Sequence, residues 1–487
     1  MSVVLFLPNH HFRLVNNDTA LKWGVIQAKA LADYGHVVYL VLPNEKDGFK
    51  YEGKLVENKN IKVVYLSMVK DQMTGTQVFS KELLRLLIVR GTRIPFEVVV
   101  NNNPALAVGI QRPLVECGWS RLKIPVFTIS EMIASYDEWR RQPCGDREWQ
   151  KPLQLLESGA ALFQSVSTGN PYDYGILKQN IRRIFSPAVA REAHKNTHFI
   201  WWPVNPLFKP YLHKKPRKGE TFKVLIAGGF GRGVEERGEQ AVVTIGAIKK
   251  LASLFNNRVK LIVCTNTPQG EEHKEMLEGT SAFVEVYWGL PNKEFREKVG
   301  ECHVSIHLRP YDGVNMSLVE QMMRGIPIIW WRTKYQKGWI NEEKMPYVVE
   351  RCNAENVATV LLSLIKTYNK AAELAYEWAL QVERRHSMEC FASKVTDVLD
   401  GLLLDARESF DNSEFSSVSG IFEKLPKKDI LFEDAFKFLN NAGKAKVFGF
   451  YSRVWFLNMC RRFGYSEFMK DGELYVKYRN GENEKVV

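Results

Sequence analysis

No apolar run in this sequence approaches the roughly 18 residues a membrane-crossing helix needs. The start, Met1 to Pro8, has no basic residues, and its apolar stretch is too short for a secretory signal, so a cytoplasmic location is expected. Cysteine is scarce: seven in 487 residues, an odd number, with no C-x-x-C pair. That excludes a zinc ribbon or a disulfide framework. Several lie in apolar stretches, such as Cys264 after Leu261-Ile262-Val263, and read as reduced core thiols. No repeat recurs at a fixed period, and the composition shows no bias of the collagen-like or wholly disordered kind.

What is present is length and positive charge. At about 150 residues per domain, the chain has room for roughly three domains. A core of that size needs neither metal nor disulfide to hold it. The net charge is +12 and the pI about 9.1. Such a balance fits a polyanionic partner, meaning nucleic acid, an anionic membrane surface or a phosphorylated substrate. It fits a solvated basic surface equally well.

Over the first 400 residues short β-like runs alternate with helical patterns. Val3 to Leu7 is a strand. A helix follows from Asp18-Thr19 to Tyr34, and Gly35 sits where a left-handed helix stop belongs. Strands are expected at 37–42, 62–66, 96–100 and 124–129. This order predicts a parallel sheet covered by helices. Four prolines (203, 206, 210 and 216) with interspersed lysines mark a linker. A second series of strands then starts at Phe222, and 355–403 reads as purely helical. The expected divisions are a Rossmann-like domain over 1–205, a linker over 206–220 and a second Rossmann-like domain over 221–404. A polar, Ser-rich linker over 405–423 and a basic, aromatic-rich α+β module over 424–487 complete them. Two doubly wound domains predict a ligand in a deep cleft between them, at the carboxyl ends of the strands.

Two segments carry the chemistry. The first is Val224-Leu225-Ile226-Ala227-Gly228-Gly229-Phe230-Gly231-Arg232-Gly233. A strand entering a Gly-rich turn before a helix lets backbone N–H groups approach a phosphate. Arg232 and Arg237 stand beside it, and two guanidinium groups suit a diphosphate. The alternative is a flexible loop with two solvated arginines. The second segment runs from Val304 to Ile329 as strand, polar loop, short helix, Gly325 and strand. Its helix start near Asn315 to Leu318 offers N–H donors to an anion. Asp312 and Glu320 bracket that place and are able to grip sugar hydroxyls, although Glu320 also reads as an ordinary helix-surface charge.

These segments resemble the E-x7-E region and the G-R-x4-K-G turn of the retaining group 1, glycogen-synthase-like glycosyltransferases. Asp312 stands for the first Glu, and Arg237 for the Lys. Three more stretches agree in order: Trp201 to Pro210 with the family's linker, Val286 to Pro291 with its V-x-F-x-G strand end, and Ala28 to Val38 with an N-terminal helix and strand. The resemblance spans about residues 1–400 and implies the α/β GT-B fold. It implies a retaining, metal-independent glycosyltransferase that uses a nucleotide sugar, expected to be a UDP-sugar, as substrate with no cofactor. No D-x-D motif of the metal-dependent fold occurs. The resemblance places Arg232 and Arg237 on the donor diphosphate, Glu320 on the ribose and Asp312 at the donor sugar. Gly229, Gly231, Gly289 and Leu290 line the donor, and Gly313, Val314, Asn315, Met316 and Ser317 supply backbone N–H groups. Such groups stabilise charge on the leaving diphosphate. His10 and His11 follow the first strand, on the acceptor side, where either is able to orient an acceptor or move a proton. The alternative is a loop histidine with no role. Asn101-Asn102-Asn103 also read as cleft residues or as a turn.

Charge speaks to the acceptor. Residues 437–479 hold nine Lys/Arg against three acids, with eleven aromatics interleaved. Helix, Gly turn and β-wing resemble a winged-helix layout, with Lys444, Lys446, Arg461 and Arg462 as phosphate contacts. A small packing appendage explains the aromatics as well. A second basic stretch comprises Lys178, Arg182, Arg183, Arg191 and Lys195. Three functions follow: glycosylation of a hydroxymethylated base in DNA, as some phage enzymes perform; glycosylation of an envelope polysaccharide or glycolipid with peripheral membrane contact; or nucleic-acid binding without catalysis on a GT-B scaffold. The donor motifs argue against the third.

Overall fold

The computed structural model describes residues 1–8, 19–43, 58–66, 68–70, 77–79, 96–102, 125–130, 158, 161, 165–184, 187–228, 235–255, 258–265, 277–308, 316–333, 336, 339–408, 430–431, 450–451, 466–470, 473–477 and 483–486. They fall into two units. One comprises Met1–Trp201 with Phe391–Val487, and the other Trp202–Cys390.

In the first unit, β1 (Val3–Leu7), β2 (Val37–Pro43) and β3 (Ile61–Leu66) belong to a seven-stranded sheet. A separate antiparallel pair is formed by β4 (Met68–Lys70) and β5 (Gln77–Phe79). The sheet continues with β6 (Val98–Asn101), β7 (Val126–Ser130), β8 (Ser165–Thr168) and β9 (Thr197–Phe199). Its order is β3-β2-β1-β6-β7-β8-β9, and each neighbouring pair is parallel. Such a sheet is covered on both faces, so its strands read as continuous apolar runs. Val4, Leu5, Phe6 and Leu7 are all buried, as are Val98, Val99 and Val100.

Helix α1 (Thr19–Asp33) returns the chain from β1 to β2. It stops where the sequence predicts. The Gly35 N–H donates to Ala32 O at 3.1 Å and the His36 N–H to Leu31 O at 3.0 Å, with Gly35 at φ +108°. That paired bonding satisfies the last carbonyls of the helix and needs a residue without a Cβ at the left-handed position. Helices α2 (Pro171–Ile184) and α3 (Pro187–Lys195) lie between β8 and β9.

The second unit holds β10 (Phe222–Ala227), β11 (Val259–Thr265), β12 (Val284–Trp288), β13 (Val304–His307), β14 (Ile328–Trp331) and β15 (Val348–Val349). They form one parallel sheet in the order β12-β11-β10-β13-β14-β15. This is the doubly wound order, and it reverses direction between β10 and β13. Helices α4 (Glu235–Leu254), α5 (Asn292–Glu301), α6 (Met316–Arg324), α7 (Ala354–Lys366) and α8 (Tyr368–Arg385) belong to this unit. Ile248 and Leu251 of α4 join Leu361 and Leu364 of α7 in one core with Val224, Ile226, Leu261 and Val263. Helix α7 is capped by Asn353, whose side chain accepts from Asn356 N–H at 2.8 Å.

Two findings revise the expected divisions. The proline-rich stretch is not a loose tether, because Trp202, Val204, Asn205, Phe208 and His213 are buried. The Tyr211 N–H donates to Arg324 O at 3.2 Å, and a Cβ on Gly325 would lie 2.6 Å from Tyr211 O. The stretch is therefore part of the second unit. Helix α9 (Met388–Glu408), expected to close the second domain, instead clusters with the first from Phe391 onward. His36 shows why: its Nδ1 accepts from Ser2 N–H at 3.2 Å, and its Nε2 pairs with Thr396 Oγ1 at 2.8 Å.

Beyond 408 the described pieces are a strand pair, β16 (Ile430–Leu431) with β17 (Phe450–Tyr451), and an antiparallel sheet of β18 (Ser466–Lys470), β19 (Glu473–Lys477) and β20 (Asn483–Val486). The helices expected at 433–439 and 452–463 lie outside the described residues. Among the described residues, no helix is long and apolar enough to cross a membrane.

Candidate donor site

In a doubly wound sheet the crossovers leave on opposite sides of the strand where the order reverses, and this opens a crevice at the carboxyl ends. In the second unit that place lies between β10 and β13. The two chemistry-bearing segments of the sequence leave from these two strands. The Gly-rich turn follows Ala227 at the end of β10, and the polar loop follows His307 at the end of β13.

The neighbouring strand ends are fixed by backbone bonds. Gly228 N–H donates to Cys264 O at 3.0 Å, and Gly289 N–H to Thr265 O at 2.8 Å. Gly289 has φ +59°, so the chain turns away from β12 at a position where a side chain would be strained. Leu290 follows it directly. Helix α6 begins at Met316 and is buried at seven of its nine residues, Glu320 among them at 2% exposure. Glu320 is thus no ordinary surface charge. A carboxylate is held inside only where other groups compensate its desolvation. Ser317 lies in the first turn of α6, and its carbonyl accepts from Gln321 Nε2 at 2.7 Å. Gln321 also receives the Ser305 hydroxyl from β13. The helix is thereby tied to the strand it follows, and its first-turn N–H groups keep a fixed place near the end of β13. At its other end, Met322 Sδ accepts from Trp378 Nε1 of α8 at 3.3 Å.

The structure therefore brings Gly289, Leu290, Met316, Ser317 and Glu320 to the carboxyl side of one sheet. Arg237 is in the first turns of α4. Gly229, Gly231, Arg232, Asp312, Gly313, Val314 and Asn315 lie outside the described residues, as do His10, His11, Lys444, Lys446, Arg461 and Arg462. Among the described residues no group of three His, Cys, Asp or Glu is arranged to hold a metal ion.

One residue escaped the sequence reading. Gln240 of α4 is buried, and its Oε1 accepts from the Leu308 N–H, one residue past β13, at 3.3 Å. A signal existed: Gln240 and Thr244 interrupt, at i and i+4, the apolar stripe that continues as Ile248 and Leu251.

Residues 214–379 match the family model for glycosyl transferases group 1. The second unit is a group 1 glycosyltransferase domain. The chain is thus a glycosyl-transferring enzyme. Every donor residue named from Gly228 to Glu320 falls inside the matched segment. Solved structures extend the likeness to both sheets. Alr3699/HepE of Anabaena, solved with UDP and glucose, shares 14% identity at a TM-score of 0.56, over 82% of this chain and 100% of that one. Sucrose-phosphate synthase of Thermosynechococcus elongatus shares 12% at 0.57, over 83% and 99%. WaaG, a glycosyltransferase involved in lipopolysaccharide biosynthesis, shares 11% at 0.55, over 81% and 99%. At such identities the likeness concerns the fold, which is GT-B with two Rossmann-like units. No curated protein sequence matches the chain.

Proposed function

We propose that this glycosyltransferase moves a sugar from a nucleotide sugar to a hydroxyl acceptor with retention of anomeric configuration and without a metal. The observation that carries the reading is that β10 and β13 are neighbours, and that the two segments whose residue types suit a sugar diphosphate follow these two strands in the chain. A UDP-sugar is the donor we favour, and the Anabaena neighbour solved with UDP supports it. Arg232 and Arg237 would hold the diphosphate, and Glu320 the ribose. Asp312 would face the sugar. Charge on the leaving diphosphate is met by guanidinium groups and by the N–H groups at the start of α6. No general base is required for that role, and His10 and His11 remain the acceptor-side candidates.

For the acceptor we favour a hydroxymethylated base in DNA, on the charge of residues 437–479. A second observation supports an anionic envelope glycolipid instead: Arg182, Arg183, Arg191 and Lys195 of α2 and α3 are all exposed. A panel of nucleotide sugars offered with hydroxymethylated DNA, plain DNA and lipid acceptors decides between them. Transfer to modified DNA should come with duplex binding that weakens with salt at a log–log slope of about −0.9 per neutralised phosphate. Salt-insensitive DNA binding removes the DNA reading. An inverted anomer by NMR removes retention, and loss of transfer in EDTA removes metal independence.

A further inference from the structure

The core-facing stripe of α4 changes character along its length. Ile248 and Leu251 pack into the apolar core of the second unit. One and two turns nearer the helix start, the same stripe presents Thr244 and Gln240, at 0% and 2% exposure. Parallel strands and their crossover helices run in opposite senses, so the start of α4 lies at the carboxyl ends of the strands. Polar side chains thus join the buried face of α4, beside Ala241 and Ile245, as it nears the place between β10 and β13.

These polar groups are only partly satisfied. Among the described residues, Gln240 Nε2 and Thr244 Oγ1 have no hydrogen-bond partner. Each such buried group is destabilising by about 1–3 kcal/mol. The Gln240 amide makes a single bond, from the Leu308 N–H to its Oε1. That bond joins the helix that follows the Gly-rich turn to the first residue beyond β13. It links the two loop-bearing strands across the reversal, without using a residue of either loop. Gln27 Nε2 in the first unit is left in the same state, so it is the bond to the Leu308 main chain that sets Gln240 apart.

We propose that Gln240 is a positioning residue for the donor site, holding Leu308, at the exit of β13, in register with the start of α4, so that donor binding depends on that register. The inference rests on the nucleotide-sugar reading. It concerns a residue that touches Leu308, not the substrate.

Calorimetric titration of the full-length protein with UDP tests it, alongside thermal unfolding. Gln240→Met keeps the volume of the side chain and removes the amide. It should weaken UDP binding about three- to tenfold, the worth of one hydrogen bond. In steady state it should raise the KM for the donor and leave the KM for the acceptor unchanged. Gln240→Glu restores an oxygen for the Leu308 N–H and should recover part of the loss. Wild-type UDP affinity in Gln240→Met overturns the inference, whatever the melting temperature does. So does equal impairment of the Met and Glu variants, which would mean packing alone. Wild-type protein that binds no nucleoside diphosphate overturns the donor reading and this inference together; a silent Met variant beside a binding wild type overturns the inference alone.

Discussion

At the reversal point of each sheet a glutamine from the first crossover helix reaches the chain just beyond the strand on the far side, but the two reach different things. In the second unit Gln240 meets a backbone N–H, that of Leu308. In the first unit Gln27 of α1, fully buried, meets a side chain: its Oε1 accepts from Asn102 Nδ2 at 2.8 Å. Asn102 in turn donates to Ile129 O at 3.4 Å, and its own N–H to Leu7 O at 2.9 Å. The first unit fills this place with a side-chain network and a close approach. A Cβ on Gly24 would lie 2.5 Å from Pro8 Cβ and 3.2 Å from Asn102 Oδ1. The second unit leaves the equivalent place to main chain. That difference suits a unit whose ligand is read by N–H groups, because backbone donors work only if the backbone is held.

Acid should separate the two units most strongly. In the second, burial pushes His213, His303 and His386 down to about 4. For His386 burial outweighs a bond that pulls the other way, because Nδ1 lies 2.6 Å from Trp202 O and that carbonyl favours the protonated ring. In the unfolded chain each titrates near 6.5. The folded state therefore binds fewer protons between those values, and stability present above pH 6.5 is lost as pH falls toward 4. For the well-buried His213 and His386 the loss reaches about 3 kcal/mol each at the acid end. The first unit carries His36 and His198, both lowered by burial to a smaller extent. Hydrogen exchange against pH should show the second sheet opening first. Equal acid sensitivity of the two sheets would break the contrast.

Steric substitution should reverse the order. Gly24→Val places atoms inside the contact with Pro8, and Pro8 has a rigid ring that cannot swing aside. Overpacking of this kind costs about 3 kcal/mol. It should lower the melting temperature and expose β1 and β6 to exchange while β10 and β13 stay protected. Protection lost equally in both sheets would mean that the units do not unfold separately.

Much of this architecture was legible from periodicity. The strands Phe222–Ala227 and Val304–His307 fall where the apolar runs put them, and α1 ends at its glycine. Strand β8 was not legible. Its residues, Ser165-Val166-Ser167-Thr168, carry no apolar run, yet all four are buried. Strands β9 and β15 are three and two residues long, too short for any period to show. At the site, glycines, arginines and Glu320 stood out by residue type and spacing. Gln240 did not, because a helical glutamine normally faces water. The break it makes in the apolar stripe of α4 is a weak signal, and burial and the Leu308 bond are what distinguish it. The placement of α9 depended on a contact between residues 36 and 396, which no local pattern encodes.

At the donor site itself the expected effect is on rate. Glu320→Ala removes the buried carboxylate of α6 and Arg232→Ala a guanidinium of the Gly-rich turn. Loss of a charge-assisted contact is worth about 1.5–3 kcal/mol, or about tenfold or more in transfer. Steady-state transfer with a saturating acceptor measures it. Wild-type rates in both variants would remove the assignment of these residues to the donor.

The smallest expected effect sharpens the comparison most. Gln27→Met takes from the first unit what Gln240→Met takes from the second: one amide at a reversal point. Here the partner is Asn102 Nδ2, which keeps only its longer bond to Ile129 O. A buried amide donor stripped of its better acceptor destabilises by about 1–3 kcal/mol, so the melting temperature should fall by several degrees at most. Affinity for UDP should not change, since Gln27 belongs to the unit that carries none of the donor segments. The pair of variants then separates on UDP affinity, which one spares and the other weakens. If Gln27→Met weakens UDP binding as much as Gln240→Met does, the two glutamines serve the same structural end. The distinction between a side-chain lock in one unit and a backbone register in the other then fails.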